Sequence, residues 1–220
     1  FFAILRANHL LITPKRTYHT TTMSHHRFRK YPNIIKDLNI YRPNQVWVSD
    51  ITYIGKREKP CYLSLITDAY SKKIVGYEVS NTMCTTHVVK ALKMAQKQRK
   101  TIKDLIHHSD RGVQYCSDEY QYYLNKYKIV CSMTEKSDPY ENAIAERING
   151  ILKQEFMIDT YHLDISLMKE IVAEAIWIYN NDRPHWSNHM LTPNQMHSKT
   201  DIKFKTYKTK NSSNLKATTV

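Results

Sequence analysis

QVWVSDITYIGKREKPCYLSLITDAYSKKIVGYEVS (45–80) is the stretch that decides the fold. Three runs rich in β-branched and aromatic residues, 45–54, 61–70 and 74–80, are separated by GKREKP and SKK. They read as strands close enough in sequence to form an antiparallel meander. One residue breaks the pattern. Asp50 lies inside the first run, between Val48 and Ile51, where an acid is disfavoured.

Downstream of the meander the period changes. Val88, Ala91, Leu92 and Ala95 mark a helical stripe over 85–99, with Lys90, Lys93 and Lys97 off it. DLIHH (104–108) reads as a short buried strand ending at Ser109 and Asp110. SDEYQYYLNKY (117–127) offers Ser117 as an N-cap with acids in the first turn, which predicts a helix. KIVCSM (128–133) makes a fifth strand. After the turn KSDPY, helices are expected over about 142–156 and 165–179. Three strands followed by helix, strand, helix, strand, helix predict an α/β domain, a mixed five-stranded sheet flanked by helices. That order is the RNase H-like topology.

Outside this region the chain is polar and basic. Residues 1–44 carry eight Lys/Arg and one acid, and 198–220 carry six Lys and one acid. The middle, 45–197, holds nineteen basic and eighteen acidic residues, so the formal net charge of +13 sits at the two ends. The expected division is a basic N-terminal arm or linker over 1–41, a core with its C-terminal helix over 42–197, and a basic tail over 198–220. Such placement suits a polyanionic partner, because each cation that neutralises a phosphate releases a counterion. The sequence starts at Phe1 and its first Met is Met23, which reads as a piece of a longer protein. FFAILRANHLLI is too short to span a bilayer and lacks the flanks of a signal peptide, so no membrane partner is expected. Cys61, Cys84, Cys116 and Cys131 form no C-x-x-C pair, which argues against a zinc finger and for reduced thiols in the cytosol.

Chemistry is expected from the oddly placed acids. Asp110 follows the buried run LIHH, and strand ends in α/β sheets are where ligand sites gather. At 100° per residue, Asn142, Glu146, Asn149 and Lys153 fall within a narrow arc of one helix, with Ile144, Ile148 and Ile151 opposite. Converging carboxylates are expensive unless paired, and divalent ions with hard oxygen ligands pair them. Taken singly, Asp110 also reads as a turn residue and Glu146 as a solvated helix acid. Asp68, in the similar context ITDAYS, reads as a turn residue only, and the sixteen tyrosines read chiefly as packing.

Five stretches carry a resemblance: NQVWVSDITYI, LITDAYSKKIVGYEVS, HHSDRGVQYCS, DPYENAIAERINGILKQEF and YNNDRPHWSNHMLTPNQM. From Phe1 to about Met196 the chain resembles the integrase core of bacterial insertion-sequence transposases of the OrfB type, relatives of retroviral integrases. The resemblance implies a catalytic triad of Asp50, Asp110 and Glu146, with 35 residues between the last two. It implies two divalent ions, Mg²⁺ or Mn²⁺, held by those three side chains. Water would cleave DNA at an element's end, and the freed 3′-OH would attack a phosphodiester directly. The partners it implies are DNA, a helix-turn-helix protein from a preceding reading frame, and further copies of the chain in one assembly. The expected location is the cytoplasm, at the nucleoid.

Around the triad, Asn142, Asn149, Lys153, Arg111 and Gln114 are candidate DNA contacts. His107 and His108 are candidate supports for the site or for proton transfer, and Arg183 is expected to close the C-terminal helix or meet DNA. Many relatives have Ser after the Glu; this chain has Arg147, one more cation able to meet phosphate. Two other readings stay open: a non-catalytic DNA-binding remnant of a transposase, and an RNase H-like nuclease acting on RNA–DNA hybrids.

Overall fold

The computed structural model describes residues 2–8, 26–55, 60–99, 104–135 and 142–199. Residues 56–59 within GKREKP, the whole of KSDPY, residues 1 and 9–25 of the arm and nearly all of the tail lie outside the described residues. The meander is present: β1 (Val46–Ile54), β2 (Cys61–Asp68) and β3 (Ile74–Ser80) pair antiparallel. β4 (Leu105–Ser109) joins the other side of β1 in parallel, and β5 (Ile129–Met133) pairs parallel with β4. The order β3-β2-β1-β4-β5 makes one mixed sheet of five strands. Its antiparallel half is joined by short turns, whereas its parallel half needs helical crossovers.

Seven helices are described: α1 (Phe2–Ala7), α2 (Thr85–Gln98), α3 (Val113–Cys116), α4 (Asp118–Lys126), α5 (Ala143–Glu155), α6 (Ile165–Asn181) and α7 (Pro193–Ser198). Period-two alternation divides β1 between two cores. Trp47 and Ile51 face α2 and α4, packing with Val88, Leu92, Tyr120 and Leu124. Val46 and Val48 face the other way, against Ala145 of α5. On that same side, Leu63, Leu65 and Val79 meet Ile148, Ile151, Val172 and Tyr179 of α5 and α6. Burial on both faces makes the sheet the middle layer of three. The predicted cap is also in place, with Ser117 accepting from the Tyr120 N–H.

Part of the stretch read as an arm packs on the sheet. Tyr31, Ile35 and Ile40 lie against the two cores, the Ile34 N–H donates to Ser132 Oγ, and Arg42 donates to the Asp104 carbonyl at 2.7 Å. Residues beyond α6 are likewise ordered into a 3-10 turn (Trp186–Asn188) and α7. Asp68 does more than turn the chain. It is fully buried and accepts from the Asn44 N–H and from the N–H and hydroxyl of Ser71. His197 of α7 stands 3.7 Å from it, so this carboxylate ties three distant segments together. No described helix is long and apolar enough to cross a membrane.

Candidate active site

Strand register brings the first two acids together. β1 and β4 pair Val46 with Ile106, Trp47 with His107 and Val48 with His108. Carried on by two residues, that register sets Asp110 beside Asp50, just where β4 ends while β1 continues. Asp50, Ile51, Asp110, Gly112, Gln114 and Tyr115 line a cavity of about 10 Å³ there. That is room for roughly one water-sized occupant.

Each carboxylate is held by a neighbour. The Gly112 N–H donates to Asp110 Oδ1 at 2.9 Å, and a Cβ at Gly112 would come within 2.9 Å of that oxygen. Asn149 Nδ2 donates to Asp50 Oδ2 at 2.7 Å from the buried flank of α5. The ionised form of Asp50 is nonetheless disfavoured. Burial first, then the charge of Asp110 and more weakly that of Glu146, push its pKa up to about 7, against the Ile51 N–H and the Asn149 amide. Glu146 is exposed on the first turn of α5, and its pKa is raised by partial burial.

Among the described residues no three His, Cys, Asp or Glu side chains are gathered closely enough to hold one metal ion. The expected convergence of three carboxylates is therefore seen as two sharing a cavity, with the third on the neighbouring helix. Two hard oxygen donors are still a sufficient protein share for Mg²⁺, which keeps waters and phosphate oxygens as its other ligands. A cation would also relieve the repulsion that raises the Asp50 pKa. The donor set fits a divalent ion. Tyr115 also lines this space, and its buried hydroxyl has no hydrogen-bond partner among the described residues.

The other candidates divide between inside and outside. Asn142 is buried and donates to the Ser49 carbonyl at 3.1 Å, and Gln114 is buried and donates to the Met83 carbonyl at 2.9 Å. With Asn149 on Asp50, three residues expected at a DNA surface spend their amide N–H groups on the protein. The reason is that α5 leans on β1 through Ala145 and Ile148, so the flank carrying both asparagines is covered. Arg111 and Lys153 stay partly exposed, and burial lowers the Lys153 pKa, opposed by the charges of Asp159 and Asp50.

His107 and His108 lie wholly inside the sheet. His107 Nε2 meets Ser49 Oγ at 2.6 Å and Tyr120 Oη at 2.8 Å, and burial with the His108 charge pushes its pKa down to about 3. His108 Nδ1 meets Ser132 Oγ at 2.9 Å. Both brace β1, β4 and β5 from within. Arg183 pairs with Glu155 through two short contacts, 2.5 and 2.6 Å, and so closes the end of α6 against α5. Gln114 at Met83, Gly112 at Asp110 and the Tyr115 hydroxyl gained no specific signal from periodicity, because each depends on a contact between elements.

Family models give the chain a context. Two models described as integrase core domain match residues 40–139 and 127–193. Over 203 residues the chain is 32% identical to transposase InsF of insertion sequence IS3A from Escherichia coli, covering 90% of this chain and 69% of that protein. It is 36% identical over 173 residues to the 31 kDa protein of insertion element IS600 from Shigella sonnei, covering 78% of this chain and 64% of that protein. A transposase of IS986/IS6110 from Mycobacterium tuberculosis is 38% identical over 120 residues, 52% of this chain and 43% of that protein. Several relatives thus extend well beyond the matched region. Among solved structures, the HTLV-2 integrase catalytic core domain in complex with magnesium shares the fold, with a TM-score of 0.58 at 21% identity over 72% of this chain and 99% of that one. A chain of the simian T-cell lymphotropic virus intasome in complex with PP2A regulatory subunit B56 gamma gives 0.63 at 20% identity, over 79% of this chain and 60% of that one.

Proposed function

The chain belongs to the integrase-core family of bacterial insertion-sequence transposases, and from that membership we propose that it carries the catalytic centre of a DDE transposase. Its substrates are DNA ends and a DNA target. Asp50, Asp110 and Glu146 are the catalytic carboxylates. The observation that carries this is the placement of Asp50 and Asp110 on one cavity, with the anionic form of Asp50 disfavoured until a cation arrives. Divalent ions, Mg²⁺ or Mn²⁺ and two in number, would be held by Asp50, Asp110 and Glu146. When bound, they supply Lewis-acid polarisation of a phosphate and a nucleophilic oxygen at neutral pH.

The chain's own residues position and neutralise. Gly112 and Asn149 aim the two carboxylates, and the histidine pair keeps the strand ends rigid beneath them. Holding reactants in line supplies much of the acceleration in phosphoryl transfer. In cleavage, a water oxygen bonds to phosphorus, the P–O3′ bond breaks and a 3′-OH leaves. In strand transfer that 3′-oxygen bonds to a target phosphorus and another P–O3′ bond breaks. Bond number is conserved in both, so neither step needs an external energy source or a covalent protein–DNA link. Arg111 and Lys153 are partly exposed cations near the carboxylates and serve as phosphate contacts. Two DNA ends joined in one event imply an assembly of at least two copies. A helix-turn-helix protein from a preceding reading frame is the proposed partner for reading the element's ends. The site of action is the nucleoid.

The test is a nicking and strand-transfer assay on labelled duplex DNA with Mg²⁺ or Mn²⁺. It uses this chain and a form extended to the length of its relatives, each with Glu146→Gln beside it. Metal-dependent products that Glu146→Gln lowers by at least ~10²–10³-fold are expected. Cleavage of RNA–DNA hybrids without strand transfer would favour the nuclease reading instead. DNA binding with no product, even from the extended form, would favour the non-catalytic one.

A further inference from the structure

On the far flank of α5 from the carboxylates lies a second and larger concavity, about 620 Å³, between α5 and residues 183–190. Its floor is apolar, formed by Ile144, Ile148 and Ile151, and its rim carries Lys72, Arg147 and Arg183 with no acid among the lining residues. Arg183 is committed to Glu155, but none of the ion pairs among the described residues engages Lys72 or Arg147. His185, at the back of this concavity, reports on the charge around it. Burial and then the cations Arg183, Lys72 and Arg147 push its pKa down to about 4, with Glu155 opposing.

At the edge stands Trp186, with 89% of its surface exposed. The loop that carries it is pinned. His185 N–H donates to the Leu191 carbonyl, Met190 N–H to the His185 carbonyl, and buried Asn188 donates to the Ser71 carbonyl at 2.6 Å. His189 and Met190 both adopt left-handed backbone, φ 55° and 63°, a conformation that costs a non-glycine residue energy. The backbone that presents this indole to solvent is thereby fixed. Beside it are an apolar floor, the exposed Arg147 and the partly buried Lys72, whose ammonium also donates to the Ala69 carbonyl; together they match an aromatic ring carrying a phosphate.

We propose that this groove is a second DNA subsite that takes an unpaired nucleotide, its base stacked on Trp186 and its phosphate held by Arg147 and Lys72. The inference rests on the DNA-processing reading above and adds a strand-state preference to it. In a duplex the base faces are covered by their neighbours, so only phosphate and sugar could reach the groove and its apolar floor would stay unused. An unstacked base presents its whole face, and stacking on an aromatic side chain is tolerant of sequence. A second copy of the chain fits less well. In a two-fold contact the same patch meets itself, and Lys72, Arg147 and Arg183 would face their own duplicates.

The experiment is a binding titration in EDTA, which removes metal-dependent cleavage from the readout. The full chain is titrated with a fluorescent single-stranded oligonucleotide and with a blunt duplex of equal length, reading anisotropy and tryptophan emission. Trp177→Phe is used as background, leaving Trp186 and the fully buried Trp47 as the only indoles. Single-stranded DNA should quench the emission. Trp186→Ala should weaken single-strand binding roughly five- to hundredfold while changing duplex binding less than twofold. Arg147→Gln should lower the salt dependence of single-strand binding by about one counterion. Single-strand affinity that survives Trp186→Ala overturns the proposal, and so does equal loss on duplex and single strand. A change of oligomeric state in Trp186→Ala, with DNA affinity intact, assigns the groove to contact between copies. None of these outcomes depends on the carboxylates, so an inactive but single-strand-binding chain would sink the catalytic reading and leave this one standing.

Discussion

Asn149 and Asp50 are joined by a 2.7 Å hydrogen bond from the buried side of α5 to the middle of β1. The bond links the helix that carries Glu146 to the strand that carries the first carboxylate. It fixes which way the Asp50 oxygens point and favours their ionised form, against burial and two neighbouring acids.

Asn149→Ala removes that restraint. Partners that orient metal-binding carboxylates typically govern affinity and rate by 10–100-fold. Metal-dependent nicking by Asn149→Ala should fall by about that factor, and half-maximal activity should need more Mg²⁺. A titration of Mg²⁺ against rate checks this; an unchanged midpoint would show that the amide serves packing alone.

Without metal, the folded-state pKa of Asp50 is about 7 against an ordinary 3.8. Below 3.8 the group is protonated whether folded or not and costs nothing. Above that value the unfolded chain ionises more readily than the folded one, so stability is lost as pH rises toward 7 and the loss is complete above it. Asp50→Asn should therefore stabilise the metal-free chain at pH 8 by about 1–2 kcal/mol, allowing for solvent at the cavity mouth. The gain should disappear near pH 4. Denaturant melts at the two pH values in EDTA decide it, and a gain that does not change with pH would show that Asp50 is not desolvated.

Gly112→Ala places a methyl group 2.9 Å from Asp110 Oδ1. The obstacle is the end of a side chain, so the carboxylate can swing aside at little cost to the fold. Expected are a loss of stability below ~1 kcal/mol and a fall in activity of about 10²-fold from the misplaced ligand. A thermal melt beside the nicking assay separates the two; full activity would mean that Asp110 tolerates displacement.

Gly76→Ala should do the reverse. A Cβ there would sit 2.2 Å from the Ala91 carbonyl, where β3 and α2 approach backbone to backbone. Neither element can move without disturbing the sheet, and overpacking of this kind costs about 1–3 kcal/mol. Chemical denaturation should show that loss, while the folded fraction keeps its specific activity. A neutral melt would mean that α2 shifts freely on the sheet.

Local pattern made much of this protein legible. Runs rich in β-branched and aromatic residues over 45–80 specified the meander, and the stripe through Val88, Leu92 and Ala95 specified α2, because solvent on one side and core on the other impose a helical period on the chain. The acid inside β1 marked Asp50, since a strand tolerates a buried carboxylate only for a reason. At α7 a signal went unread: Thr192 and Gln195 form a capping box with Pro193 in the first turn.

Tertiary structure decided the rest. A helical arc groups Asn142, Glu146, Asn149 and Lys153, but it cannot say that packing against β1 buries the two asparagines and leaves Glu146 exposed. The sequence around Asp68 shows a turn; only the folded chain brings Asn44 and His197 to it across distant segments. The pairing of Asp50 with Asp110 rests on a register between strands sixty residues apart. Periodicity records how a segment meets solvent and core. Which particular atoms meet across elements is set by register and packing, and those exist only once the chain has closed on itself.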